Sequence, residues 1–378
     1  MQDSQSLEQA KLFFLSGLKK LNGNDFNGAE IDFYSSLKFA PNRISTLINL
    51  SVVLIKSNKI KNAEKLIHEG LVHHPKNKDL LMGLIEIYKI IIKLNPQYAE
   101  VYVNLGNVYR ELNMYEESLM AYNNAIKLKP NFAEVYSNRG NLMQDLRKFK
   151  EALDDYATAI KINPNHAEFY SNRGNVLKEL FRYEEALENQ NKAVDINPNY
   201  AEAYFNGGVI LAELNRYEQA LINYEKAIFI NPNYAEAYHN RGVVFGELNQ
   251  IDQALTSYAK AILLNPNYYE SYCNRGIILS DFKLFEQALS CYEMAIALNP
   301  DYAEAYSSKS FILLRTGNLP IGCELYEWRW NVEKMKYLKP IFIQPLWLGS
   351  ENLVGKTILN LIIIVGLFLM ILNYSNRH

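Results

Sequence analysis

The sequence predicts an all-α solenoid, a row of stacked helical hairpins in place of one globular core, and three observations predict it. A proline recurs every 34 residues at Pro96, Pro130, Pro164, Pro198, Pro232, Pro266 and Pro300, and Pro41 and Pro75 keep the same interval upstream. Within each interval apolar residues fall at helical spacing in two blocks separated by a short polar break. Small residues recur where the two helices of a block pair would touch, so each unit buries its apolar face on its neighbours.

One interval shows how each element is encoded. Counting Ala201 as position 1 puts Pro232 at position 32. Ala203, Tyr204, Gly207, Gly208 and Leu211 mark the first helix, Asn215-Arg216 breaks it, and Tyr217, Ala220, Leu221, Tyr224, Ala227 and Ile228 mark the second. Position 8 is glycine in Gly106, Gly140, Gly174, Gly208, Gly242 and Gly276. Glycine costs a helix interior about 1 kcal/mol against alanine, so close approach of the partner helix is expected there. Position 20 (Ser118, then Ala152 to Ala288) and position 27 (Ala125 to Ala295) are small as well, as that approach requires. Position 4 is tyrosine from Tyr102 to Tyr306, a column that reads as packing between hairpins ahead of a ligand-stacking platform. The Asn-Pro-Asn-Tyr stretches end one helix and open the next, because proline lacks a donor and biases its predecessor out of the helical region.

Small residues at positions 8, 20 and 27, an aromatic at 24 and proline at 32 resemble the tetratricopeptide repeat over about residues 7–330. The resemblance implies an all-α tetratricopeptide repeat superhelix (α-solenoid) with a short irregular C-terminal extension. Its parts are two N-terminal repeats (1–75), a truncated repeat forming a single-helix junction (76–96), six regular repeats (97–300), a degenerate capping repeat (301–330) and a final segment (331–378). The junction follows from spacing, since Pro75 and Pro96 stand 21 residues apart, 13 short of a unit. The missing residues are those of the inter-helix turn, so 79–94 is expected as one continuous helix, out of simple register with what precedes it.

Composition narrows the function classes. Three cysteines (Cys273, Cys291, Cys323), none in a Cys-x-x-Cys pair, fit a reducing compartment, and the Met-Gln-Asp-Ser-Gln-Ser start lacks a secretory pattern, so a cytoplasmic protein is expected. Residues 1–96 hold 13 Lys/Arg and 9 Asp/Glu, residues 97–300 hold 18 and 26, and residues 301–378 hold 8 and 6. The regular array is therefore acidic, which disfavours nucleic acid because phosphate binding needs a basic track. Within it, Gln190 breaks the position-24 tyrosine column, and Arg139, Arg173, Arg241 and Arg275 at position 7 are expected to pair with acids at position 13 such as Glu179 and Glu247.

The candidate binding column is position 6, occupied by Asn49, Asn104, Asn138, Asn172, Asn206, Asn240 and Asn274, then Ser308. Asparagine is a mediocre helix former, and its amide offers a donor and an acceptor to an extended peptide backbone. The competing explanation is that each amide bonds a neighbouring repeat and stiffens the stack. At this column the chain resembles the repeat region of O-linked N-acetylglucosamine transferases, which implies that these asparagines hold protein or peptide segments. No catalytic constellation or cofactor-binding motif stands out. His239 with Cys273, and His73-His74, lack a third metal ligand. Gly349 and Gly355-Lys356-Thr357 enclose five residues where a phosphate-binding loop has four.

After residue 318 the repeat decays into Leu325-Tyr-Glu-Trp-Arg-Trp330, Gln344-Pro-Leu-Trp-Leu-Gly349 and Leu353-Val-Gly-Lys-Thr-Ile-Leu359. These segments resemble the start of the catalytic domain in bacterial glycosyltransferase-like proteins related to the same transferases. That family continues into a Gly-Leu-Gly-Asp loop, where this chain has Val365-Gly-Leu-Phe-Leu-Met370, so no donor site or catalytic base is mapped and no enzyme is expected. The apolar run 358–374, with Lys334, Lys336, Lys339 and Lys356 before it, fits an interrupted reading frame after Leu359, a membrane anchor shorter than the usual 20 or so residues, or a buried element. The expectation is an interaction scaffold that binds extended peptides in the concave groove of the superhelix. The alternatives are a truncated glycosyltransferase that keeps its substrate-binding arm and a tail-anchored scaffold.

Overall fold

The structure is a computed structural model that describes residues 2–332, with side-chain surroundings from Gln5 onward. It contains nineteen α-helices and one 3-10 helix among the described residues, and they form two units, one ending at Pro198 and the other beginning at Asn199. The first unit opens with hairpins α1 (Gln2–Asn22)/α2 (Phe26–Phe39) and α3 (Ile44–Lys56)/α4 (Ile60–His73), followed by α5 (Lys78–Leu94). Regular hairpins α6 (Ala99–Glu111)/α7 (Tyr115–Leu128), α8 (Ala133–Asp145)/α9 (Phe149–Ile162) and α10 (Ala167–Glu179)/α11 (Tyr183–Ile196) complete it. The second unit holds α12 (Ala201–Glu213)/α13 (Tyr217–Ile230), α14 (Ala235–Glu247)/α15 (Ile251–Leu264), α16 (Tyr269–Asp281)/α17 (Phe285–Leu298) and α18 (Ala303–Arg315)/α19 (Leu319–Tyr326). The glycosyltransferase-like motifs beyond Val332, the Gly355-Lys356-Thr357 stretch and the apolar run 358–374 lie outside the described residues.

Both turns of a repeat follow from backbone bonding. At the inter-helix turn, position 15 adopts the left-handed conformation, with φ of 55° to 61° at Asn24, Asn58, Asn113, Arg147, Phe181, Asn215, Asn249 and Lys283. Arg216 N–H then reaches Leu211 O at 2.8 Å and Asn215 N–H reaches Ala212 O at 2.9 Å, the paired bonds that close a helix around a left-handed residue. At the inter-repeat turn Asn231 N–H bonds Ala227 O at 2.8 Å, Pro232 offers no donor to continue the helix, and the Asn231 side chain accepts from Asn233 N–H at 3.1 Å.

The glycine column packs against the partner helix, as its cost requires, but the neighbour is an aromatic ring. A Cβ at Gly208 would sit 2.6 Å from Tyr224 Cε1, and Gly106, Gly140, Gly242 and Gly276 face Tyr122, Tyr156, Tyr258 and Tyr292 in the same way. The position-24 tyrosines are thus among the largest buried side chains of the array. Position-4 tyrosines are half-buried packing residues, and two of them, Tyr136 and Tyr170, donate to the carbonyls of Pro130 and Pro164 at 3.1 Å. Gln190 replaces the ring beside Gly174. Its amide donates to Ser171 O at 3.1 Å and Asn175 Oδ1 at 3.0 Å, while its own Oε1 is buried without a partner.

The expected continuous helix over 79–94 is α5, which runs without a turn from Lys78 to Leu94. It buries Leu80, Leu81, Leu84, Ile85, Ile87 and Tyr88, and one core cluster runs from Ala29 and Phe33 through these residues to Val101, Leu105 and Ala121. A single helix therefore closes the second hairpin and receives the first regular one, with the Tyr88 hydroxyl 3.1 Å from His68 Nε2.

The position-7 arginines depart from expectation. Arg139 binds Asp155 on the partner helix with both oxygens, at 2.9 and 2.6 Å, and also donates to Asn123 at 2.6 Å. Arg241 donates to Ser257 at 3.2 Å, and Arg173 and Arg275, whose partner-helix neighbours at the same position are Asn189 and Cys291, keep a buried Nε without an acceptor. In Arg139 and Arg241 the side chain therefore reaches position 23 on the partner helix, and neither bonds an acid at position 13.

Candidate functional site

Positions 2, 6, 9 and 13 of the first helix of each hairpin are spaced i, i+4, i+7 and i+11, so they share one face. Position 2 is glutamate in every regular repeat, from Glu100 through Glu134, Glu168, Glu202 and Glu236 to Glu270, and position 13 is acidic from Glu111 to Asp281. Most of these acids are exposed. The sequence pointed to the position-13 acids only as arginine partners and left the position-2 column unmarked, although the glutamate recurring two residues after each Asn-Tyr or equivalent turn was a usable signal.

The position-6 asparagines lie on that face. Asn104 is exposed, and Asn49, Asn138, Asn172, Asn206, Asn240 and Asn274 are half-buried. Asn49 and Asn240 turn their amides back to the carbonyls four residues earlier, Ser45 at 2.8 Å and Glu236 at 3.1 Å. Asn274 stands beside the Tyr258 hydroxyl of the preceding hairpin. Asn206 Nδ2 is buried and has no partner. The column is thus not spent on a continuous set of bonds between repeats.

Position 9 divides the two units. In the first unit Asn107 and Asn141 accept from the hydroxyls of Tyr122 at 2.7 Å and Tyr156 at 2.6 Å, and Asn175 accepts from Gln190. In the second unit the same position carries Val209, Val243, Ile277 and Phe311.

Residues considered for chemistry are placed as packing groups. His239 is buried, accepts or donates at 2.8 Å with Ser271 Oγ and stacks on Tyr268 at 4.7 Å. Burial holds its imidazole at about 4, well below the ordinary 6.5, and pushes the Cys273 thiol up to about 12. His74 Nε2 meets Asn42 O at 3.0 Å, and among the described residues no three His, Cys, Asp or Glu side chains come together to hold a metal. Among the described residues no helix is long and apolar enough to cross a membrane.

Three family profiles match the chain. One described as tetratricopeptide repeat matches residues 133–166, 235–268 and 269–302, a second of the same description matches 165–228, and one described as TPR repeat matches 106–147 and 208–249. Together they cover 106–302 without a gap, just over half of the chain. No curated protein matches it. Among solved structures, a chain of the APC/C hetero-tetramer Cut9-Hcn1 superposes over 86% of this chain and 73% of its own, at 14% identity and a TM-score of 0.53. Pseudomonas aeruginosa pilF superposes over 56% of this chain and 97% of its own, at 20% identity and a TM-score of 0.51. YrrB, a TPR protein with an unusual peptide-binding site, is 28% identical over 49% of this chain and 95% of its own, with a TM-score of 0.40. The first two likenesses are of fold.

Proposed function

The chain belongs to the tetratricopeptide repeat family, and from that premise we propose that it is a protein-interaction scaffold whose asparagine column holds an extended segment of a partner protein. The observation that carries this reading is the recurrence of a poor helix former at one position of one exposed helix face, with the Asn206 amide buried and unpartnered. A buried donor without an acceptor is destabilising by about 1–3 kcal/mol, and an outward turn of the Asn206 amide to a backbone carbonyl of a bound peptide would relieve it. The similarity of this column to the repeat region of O-linked N-acetylglucosamine transferases supports the same assignment. An amide row bonds backbone and leaves side chains free, so it grips many sequences. The matched families are repeat families alone, and the scaffold reading asks for no chemistry from this chain.

Each amide contact contributes about 1 kcal/mol, so one Asn→Ala change is mild and several together abolish binding. The test replaces the adjacent Asn138, Asn172, Asn206 and Asn240 by alanine and follows both peptide affinity and melting temperature. Lost affinity with an unchanged melting temperature supports the proposal. A large fall in melting temperature with affinity retained would make the column structural and defeat it.

A further inference from the structure

From the helix face of α12, α14, α16 and α18 we infer a docking surface for an extended segment that carries an apolar side chain at every third residue and lysine or arginine beside it. The inference rests on the asparagine reading above and names the partner chemistry of the same face in the second unit. Val209, Val243 and Ile277 are half-buried and Phe311 is 38% exposed, whereas the next residues inward, Ile210 and Val244, are 0% and 2% exposed. Val243 and Ile277 pack on the edge of their hairpin cores and Phe311 lies edge-on to the Tyr326 ring at 5.6 Å, so one side of the row is covered and the other is open. These position-9 side chains leave apolar surface in water on a face where the first unit has asparagines bonded to their own hairpins.

Exposed Glu213 and Glu247 stand one helical turn beyond this row, and the position-2 glutamates flank its other side. An apolar row between two acidic rows selects a ligand with the complementary arrangement: apolar side chains to cover the row and cations to meet the carboxylates. Neighbouring packed helices lie about 8–10 Å apart and a segment extended as polyproline II rises about 3.1 Å per residue with about three residues per turn, so roughly one turn spans one repeat. Every third side chain of such a polyproline-II segment falls on the same face and meets the same row, and the four rungs take about ten residues.

The test uses the full chain and three fluorescent peptides, each four copies of Leu-Lys-Ser, Leu-Glu-Ser or Gly-Lys-Ser, followed by anisotropy at low and high salt. The lysine–leucine peptide should bind at least roughly tenfold tighter than either other peptide and lose that margin in high salt. Glu213→Gln with Glu247→Gln should remove the preference for lysine, and Val243→Ser should remove the preference for leucine, both with little change in melting temperature. Equal affinity for the lysine and glutamate peptides would overturn this inference and leave the asparagine reading standing. Absence of binding by all three peptides overturns the docking surface, and the four-asparagine variant then decides the asparagine reading separately on a broader peptide panel.

Discussion

A methyl group added at Gly208 meets the Tyr224 ring at 2.6 Å, whereas at Gly83 its nearest neighbour is Ile67 Cδ1 at 3.7 Å, an ordinary contact. Alanine favours a helix over glycine by about 1 kcal/mol at both sites, so the sign of each substitution is set by what the methyl touches. Gly208→Ala should destabilise the protein by about 1–3 kcal/mol through overpacking, and Gly83→Ala should stabilise it by about 1 kcal/mol, both read from denaturant midpoints. Equal shifts at the two sites would refute the ring contact as the reason for the glycine column. The need for glycine at position 8 was legible in the sequence, and its cause was only half so. A small residue at position 20 suggested backbone approach, while the atom in the way belongs to position 24, because the side chain of a buried tyrosine reaches across the hairpin. The arginines show the same limit. Sequence spacing puts Arg139 near several acids, but only the fold brings Asp155 into bidentate range.

At the level of the hairpin, α10/α11 is the one that carries glutamine where its neighbours carry tyrosine. In the preceding hairpin the Tyr156 ring fills the space over Gly140 and its hydroxyl finds Asn141 at 2.6 Å. Asn175 stands at the matching place beside Gln190, so Gln190→Tyr should restore both the ring and the hydroxyl bond and remove the unpaired Oε1. The expected gain is about 1–3 kcal/mol, measured by thermal or chemical unfolding, and a loss would show that Gly174 is not spaced as its neighbours are. Helix α5 was fully legible, because a 13-residue deletion in a 34-residue period removes the turn. The left-handed turns were legible where position 15 is asparagine. Arg147, Phe181 and Lys283 gave no such sign, since there the backbone bonds impose the conformation against side-chain preference.

Across the molecule, stability should fall on mild acidification through the second unit. His239 is neutral and buried, and its ionisation lies at about 4 in the folded chain against the ordinary 6.5. Between those values the unfolded chain binds a proton that the folded chain excludes, so stability is full above about pH 6.5 and declines as pH falls towards 4. The decline amounts to at most roughly 3 kcal/mol, and His239→Phe, which copies Phe205 at the same position, should flatten it in melting curves taken from pH 7 to 4. A slope unchanged by that substitution would place the acid sensitivity elsewhere. The hairpin α10/α11 has one more consequence. Of the buried polar atoms without partners, His166 Nδ1, Ser171 Oγ, Arg173 Nε and Gln190 Oε1 all fall in or at the start of this hairpin. Repeats joined end to end transmit tension in series, so every one bears the same load and the least cohesive yields first. A partner tugging on the chain would find its mechanical fuse there, with one intact block of repeats left on either side.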